Sequence, residues 1–324
     1  MDGLPFGGLD HHDHQANRSQ DRTPLLGGGH VTLPVHTLLK TSDLKHENYM
    51  SYAENEDDSD GQGVWYVENV LSQLDKWDAE HEVEKRVVPR TFIEFGARNG
   101  LLQSNTHWLE TYFGFEGLLI DAGEHYIDDL RKNRKCSISG KPHACVWAAL
   151  DTVIGKTLTW DIYDKVERRS RKLGALEMKK RPVKTITLDH LLKHSPSSMH
   201  HIDFFSADCE GCEIKALEGL NDQVKYTVSV YTIEFPDCSI VRSLNEHGYT
   251  LFPLPFSYDW VFISKDTIEK MQEAPDLVWH PIRNFVESNF VETKAEKARK
   301  CDLNGEELRL WLPGNAWPPA FPSS

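Results

Sequence analysis

The sequence predicts an α/β protein, a doubly wound Rossmann-like sheet with helices on both faces. Three observations carry this. First, Thr91 to Asp121 reads TFIEFGARNG, LLQSNTHWLETYFGF, EGLLID. A short apolar run ends in Glu94 and the turn residues Gly96 and Gly100, and a helix candidate follows in which Trp108, Leu109, Tyr112 and Phe113 recur at a helical period. A second apolar run, Leu118 to Ile120, is closed by Asp121, which completes a nucleotide-binding βαβ half. Second, apolar runs and helical segments go on alternating as far as Ile263, the pattern of a doubly wound sheet. Third, several runs end in an acid. Ligands of such sheets lie at the C-terminal strand ends, so Glu94, Asp121, Asp208 and Glu234 are expected to converge on one crevice.

The elements follow in order. Residues 1–60 read as a polar tail, rich in Gly, His, Asp, Ser and Asn and ending in the acidic run Glu54 to Asp60; such composition does not repay the entropy of ordering. Asn17-Arg18-Ser19 is a glycosylation sequon, meaningful only in a secreted chain. Residues 61–90 predict a leading helix with the stripe Val64, Val67, Val70, Leu71, Leu74 and Trp77. After Asp121 come a helix over Glu124 to Asn133, a third strand over Ala144 to Ala149 and a short strand over Thr157 to Asp161. The pattern then breaks into a basic segment, Asp164 to Arg181. It resumes with an alternating strand, Val183 to Leu188, and Asp189 is expected to cap a short helix. Strands at Ile202 to Ala207, Tyr226 to Phe235, Tyr249 to Leu254 and Trp260 to Ile263 complete a domain over residues 91–270, with helices at Ile214 to Leu220 and Ser239 to Glu246. Residues 271–324 form a Trp- and Pro-rich extension expected to pack back on the domain.

The glycines narrow the ligand. A dinucleotide fingerprint needs G-x-G-x-x-G, whereas this chain has Glu94-x-Gly96-x-x-x-Gly100. An acid before the first glycine repels a pyrophosphate and suits the α-amino group of S-adenosylmethionine. A hydride-transferring dehydrogenase fails on the missing third glycine.

Composition bounds the rest. The formal charge of −14 argues against general nucleic-acid binding. No run approaches ~18 apolar residues, so no membrane span is visible, nor is a secretory signal, which makes a soluble cytoplasmic protein the default. The six cysteines form no dense framework. The C-x-x-C of Cys209 and Cys212 lacks further zinc ligands and reads as two small apolar side chains packing at a strand end.

The motifs together resemble the FkbM-type S-adenosylmethionine-dependent methyltransferases. They are Phe92-Ile93-Glu94-Phe95-Gly96-Ala97-Arg98-Asn99-Gly100, Leu118-Leu119-Ile120-Asp121, Trp147-Ala148-Ala149-Leu150, Thr187-Leu188-Asp189 and Asp208-Cys209-Glu210-Gly211-Cys212-Glu213, with Ser104-Asn105-Thr106 matching eukaryotic-style members. Two departures stand out. Asp121-Ala122 replaces the usual Glu-Pro, and cysteines replace small apolar residues in the acid motif.

The resemblance implies a class I methyltransferase sheet and methyl transfer to an oxygen of a hydroxylated small molecule or glycan. It implies that Glu94 binds the amino end of the donor and that Gly96, Arg98, Asn99 and Gly100 pass beneath it. Asp121 would hold the ribose, and Trp147 and Ala148 would flank the adenine. Asp208 and Glu210 would face the methyl, one as general base, with Glu234 supporting. No metal ligand is predicted. Asp208 and Glu234 are placed to share Mg²⁺, but a third oxygen ligand is not evident. The basic segment 164–181 is expected to recruit an anionic acceptor or to be a solvated excursion. The alternative reading is a catalytically degenerate adaptor that keeps the fold.

Overall fold

The computed structural model describes residues 62–81, 89–136, 144–163, 178–194, 199–209, 211–220, 226–234, 236–252, 259–274 and 301. The expected tail lies outside these residues, and so does the C-terminal extension apart from residues 271–274 and Cys301.

A seven-stranded sheet organises them. Its strands are β1 (Thr91–Phe95), β2 (Glu116–Asp121), β3 (Ala144–Trp147), β7 (His201–Ala207), β8 (Thr227–Glu234), β9 (Tyr249–Phe252) and β10 (Asp259–Ser264), in the order β3-β2-β1-β7-β8-β10-β9. Strands β3, β2, β1, β7 and β8 run parallel, and β10 is antiparallel to both β8 and β9. The order reverses between β1 and β7, where Phe95 stands beside Ala207. Strands buried on both faces need apolar residues at every position, which is why TFIEF and HIDFFSA read as near-continuous hydrophobic runs.

Each face has its own core. On one, Ile93, Phe95, Ile120 and Phe205 pack against α5 (Leu188–His194), α6 (Glu213–Glu218) and α7 (Cys238–Glu246) through Leu188, Leu192, Ala216, Ile240 and Val241. On the other, Phe92, Leu119, Phe204 and Val261 meet the leading helix, α3 (His107–Phe113), α4 (Ile127–Asn133) and α8 (Lys265–Glu273). The leading helix is continuous through α1 (Gln62–Tyr66), a π-helical turn (Val67–Leu71) and α2 (Ser72–Glu80). Its first ten residues are buried nearly all round, Trp65 and Tyr66 as fully as the predicted valine stripe. Arg90 ties it to the sheet by bonding Asp75 of α2 and Asp203 of β7.

Several local expectations are corrected. The third strand stops at Trp147, and Ala149–Leu150 (β4) pairs instead with β6 (Met178–Ile186), because Ala148 N turns back to donate to Asp121 O at 3.1 Å. Strand β6 begins five residues before Val183, inside the segment read as a break. It pairs along β5 (Thr157–Tyr163) as an antiparallel ribbon, and cross-strand bonding there overrides a sequence with no apolar alternation. Asp189 is not the cap of α5: Thr187 Oγ1 accepts from His190 N, while Asp189 pairs with Lys193. Cys209 and Cys212 form a disulfide instead of packing as free thiols, since the tight turn at the end of β7 brings their Cα atoms to 5.5 Å. Helix α7 has a cap that sequence reading missed, Asp237, whose carboxylate accepts from Ser239 N and Ile240 N.

Candidate active site

The glycine turn lies at the point where the strand order reverses. Gly96 N and Ala97 N donate to Ile120 O of β2, and Asp208 N, leaving β7, donates to Phe95 O. Gly96 has φ +74°, and a Cβ built on it would lie 1.7 Å from Asp208 O. The first glycine is therefore required by the acid motif crossing above it as well as by the left-handed turn. Gly100, at φ +78°, is pressed against the side chains of Leu130 and Arg134, each with an atom 2.7 Å from the Cβ it lacks. Between them Asn99 Oδ1 accepts from Leu101 N and Leu102 N, and Arg98 takes a left-handed φ of 48° with its guanidinium over the Tyr126 ring.

Glu94 faces inward. Its carboxylate accepts from Asn105 N at 2.7 Å, Ser104 Oγ at 2.9 Å and Thr106 Oγ1, and the fully buried Arg134 stands 3.7 Å away. Arg134 also bonds Glu110, Ser104 Oγ, Thr106 Oγ1 and Gly100 O. Desolvation raises the Glu94 pKa against the lowering effect of Arg134 and these hydrogen bonds. As placed here, Glu94 meets protein groups, and its physical role is to hold the 104–106 loop. Asn105 Nδ2 continues the row to Ser206 Oγ on β7.

Asp121 joins two turns. Its Oδ2 accepts from Arg98 N at 2.7 Å and its Oδ1 from Gly123 N at 2.6 Å. Burial raises its pKa while the two backbone donors oppose the rise. A carboxylate offers about four acceptor positions, so two remain for a ligand hydroxyl. Trp147, level with Asp121 in the adjoining strand, donates from Nε1 to Ala122 O and is still 40% exposed. An indole pinned at its nitrogen with an open flank offers a flat aromatic surface next to Asp121. Ala148 beside it is buried.

On the other side of the reversal, Asp208 leaves β7 half-buried, and Glu213 Oε1 gathers Cys209 N and Gly211 N beneath the turn. Glu213 opens helix α6, and its carboxylate holds the preceding turn; no side chain caps this helix. Glu210 lies outside the described residues. Glu234 ends β8 directly opposite Asp259 of β10. Asp259 is 3% exposed and accepts from Gln62 Nε2 of the leading helix. Sequence reading missed Asp259, Gln62 and Arg134. Asp259 opens an antiparallel strand, so it reaches the ligand edge from its N-terminal end. Arg134 is one of several charges in a helix end that looks solvated.

The four expected carboxylates thus stand on one sheet edge. They do not share one environment, since Glu94 is enclosed by the protein. Among the described residues no group of three or more His, Cys, Asp or Glu is arranged to hold a metal ion. No catalytic step is therefore assigned to Mg²⁺.

Six parallel and antiparallel neighbours around one reversal, with a single reversed strand next to the far edge, define a class I Rossmann-like methyltransferase sheet. Residues 94–251 match the sequence model of the family described as Methyltransferase FkbM domain. No curated protein sequence matches the chain. Among solved structures it is similar to the METTL16 MTase domain, at 14% identity over 60% of this chain and 66% of that one, TM-score 0.32. It is also similar to the N-terminal domain of human METTL16 in complex with SAH, at 13% identity over 60% and 69%, TM-score 0.32. A third is M. capricolum TrmK in complex with S-adenosyl-homocysteine, at 12% identity over 69% and 95%, TM-score 0.31. At these identities and scores the chemistry of those proteins does not transfer to this chain.

Proposed function

We propose that the chain transfers a methyl group from S-adenosylmethionine to an oxygen of a hydroxylated small molecule or glycan. The observation that carries this reading is the strand reversal, with the glycine turn, Asp121 and the open flank of Trp147 on one side and Asp208 on the other. The adenine would rest on Trp147 with Ala148 beside it, and a ribose hydroxyl would donate to the two open positions of Asp121. Gly96, Arg98, Asn99 and Gly100 would run beneath the donor. Glu94 would act through the loop it holds.

The bound donor supplies an electrophilic methyl on a sulfonium. The protein would align the acceptor hydroxyl with that methyl, and the Asp208 carboxylate would take the hydroxyl proton as the methyl passes from sulfur to the acceptor oxygen. Glu234, and Glu210 by its place in the motif, would orient the acceptor.

Midway along the β5–β6 ribbon, Arg181 stands 3.9 Å from Glu124, three residues past Asp121. Lys180, Arg181 and Lys184 are exposed on it, which favours an acceptor carrying negative charge. The remainder of the basic segment, residues 164–177, lies outside the described residues.

The test is methyl transfer from labelled S-adenosylmethionine to a panel of neutral and anionic glycans and hydroxylated metabolites. Asp208→Asn is expected to lower turnover by roughly 10²–10⁴-fold while leaving S-adenosylhomocysteine affinity within about twofold. The second reading, an adaptor without turnover, is favoured by the enclosure of Glu94. It takes over if the unmutated chain neither labels an acceptor nor binds the donor product.

A further inference from the structure

The six cysteines of the chain are all paired: Cys136 with Cys145, Cys209 with Cys212 and Cys238 with Cys301. Their Cα separations of 5.7, 5.5 and 5.0 Å fall within the range a disulfide spans. The bonds range from one that closes a single turn to one that joins residues 63 apart. Cys136 follows α4, which leads up to Arg134, and Cys145 lies on β3, which ends at Trp147. Cys209 and Cys212 close the turn that follows Asp208. Cys238 opens α7, and Cys301 is 63 residues further on, where its carbonyl also accepts from Arg242 Nε of the same helix.

We propose that this domain matures and works in an oxidising compartment, with its cysteines joined as these three disulfides. In a reducing cell, thiols persist and a C-x-x-C pair alone would read as a redox centre. Three pairs with sequence separations of 9, 3 and 63 and no cysteine left over are instead a structural framework. Each bond forms as two thiols give up two electrons and two protons, by thiol–disulfide exchange, to a disulfide-bearing oxidoreductase of that compartment. The default of a cytoplasmic protein is thereby replaced, and the condition attached to the Asn17-Arg18-Ser19 sequon is met. Two of the three bonds border the donor crevice, so the framework and the site are built together. The acceptor is then a hydroxyl found in that compartment, which fits a glycan.

The test traps thiols with a membrane-permeant alkylating agent in intact cells making the full chain, followed by peptide mapping without reduction. The expected result is the three stated pairs and no alkylated cysteine. The purified chain should also lose at least about 5 °C of melting temperature in reductant. Alkylated thiols at these positions in cells, or an unchanged melting temperature in reductant, would overturn the proposal. Neither readout involves donor or acceptor, so its failure is distinct from failure of the methyl-transfer reading. A Cys238→Ser/Cys301→Ser chain that still folds should keep the other two pairs and show part of the melting shift.

Discussion

On the β1–β3 side of the crevice the acids are held by the protein itself. Glu94 is closed in by Ser104, Asn105, Thr106 and Arg134, and Asp121 by two backbone donors. On the β7–β10 side the acids sit at strand ends: Asp208 is half-buried on a disulfide-closed turn, and Glu234 and Asp259 face each other across an antiparallel pair. The first side is preorganised, which suits a ligand of fixed shape such as the donor. On the second, Asp208 and Glu234 are less enclosed, which suits chemistry on a bound acceptor. Rigid donor sites lower the ordering cost of binding, while a base must stay able to exchange a proton.

The largest effect should come from breaking the enclosed side. Replacing Arg134 by Met leaves Glu94 and Glu110 without their buried cation, at an expected cost of about 3–5 kcal/mol in urea denaturation. A cost near zero would mean that the two sides are equally loose. A smaller effect should appear with pH. The folded-state pKa values of Glu94 and Asp121 lie above their unfolded values, so the folded chain binds more protons in that window. Their contribution to stability is present below the ordinary carboxylate range and is lost as pH rises through the raised values. Urea midpoints measured across this window should fall more steeply with rising pH for the unmutated chain than for Glu94→Gln. Parallel slopes would remove Glu94 from the explanation. Smallest in stability, and sharpest in discriminating the sides, is Trp147→Ala. The ring is 40% exposed, so the melting temperature should barely move. Calorimetry should nevertheless show S-adenosylhomocysteine affinity reduced by about tenfold or more, the loss expected when a base loses its aromatic platform.

Much of the sheet was legible in the sequence because strands buried on both faces announce themselves as apolar runs. TFIEF, GLLI, HIDFFSA and VSVYTI each appear where a run was read. The β5–β6 ribbon was less legible because it is stabilised by backbone pairing across Thr157 to Tyr163, which leaves no periodic mark on Met178 to Arg181. For the site, the strand-end positions of Asp121 and Asp208 followed from periodicity and order, whereas that of Trp147 did not, because the apolar run continues through Ala149 and hides the turn at Ala148. The inward turn of Glu94 did not, because it depends on Arg134, forty residues away, and nothing in a run of charges distinguishes a buried arginine from a solvated one. Asp259 was hidden for a related reason: its role depends on β10 running backwards, and that reversal is set by tertiary packing.

The most direct test of the central claim is a calorimetric titration of the disulfide-intact full chain with S-adenosylhomocysteine, alongside Gly96→Arg, whose side chain would have to pass through Asp208 O. The account predicts one saturable site on the unmutated chain and none on the variant. Absence of binding to the unmutated chain at roughly millimolar ligand, a threshold of about 4 kcal/mol, would contradict it.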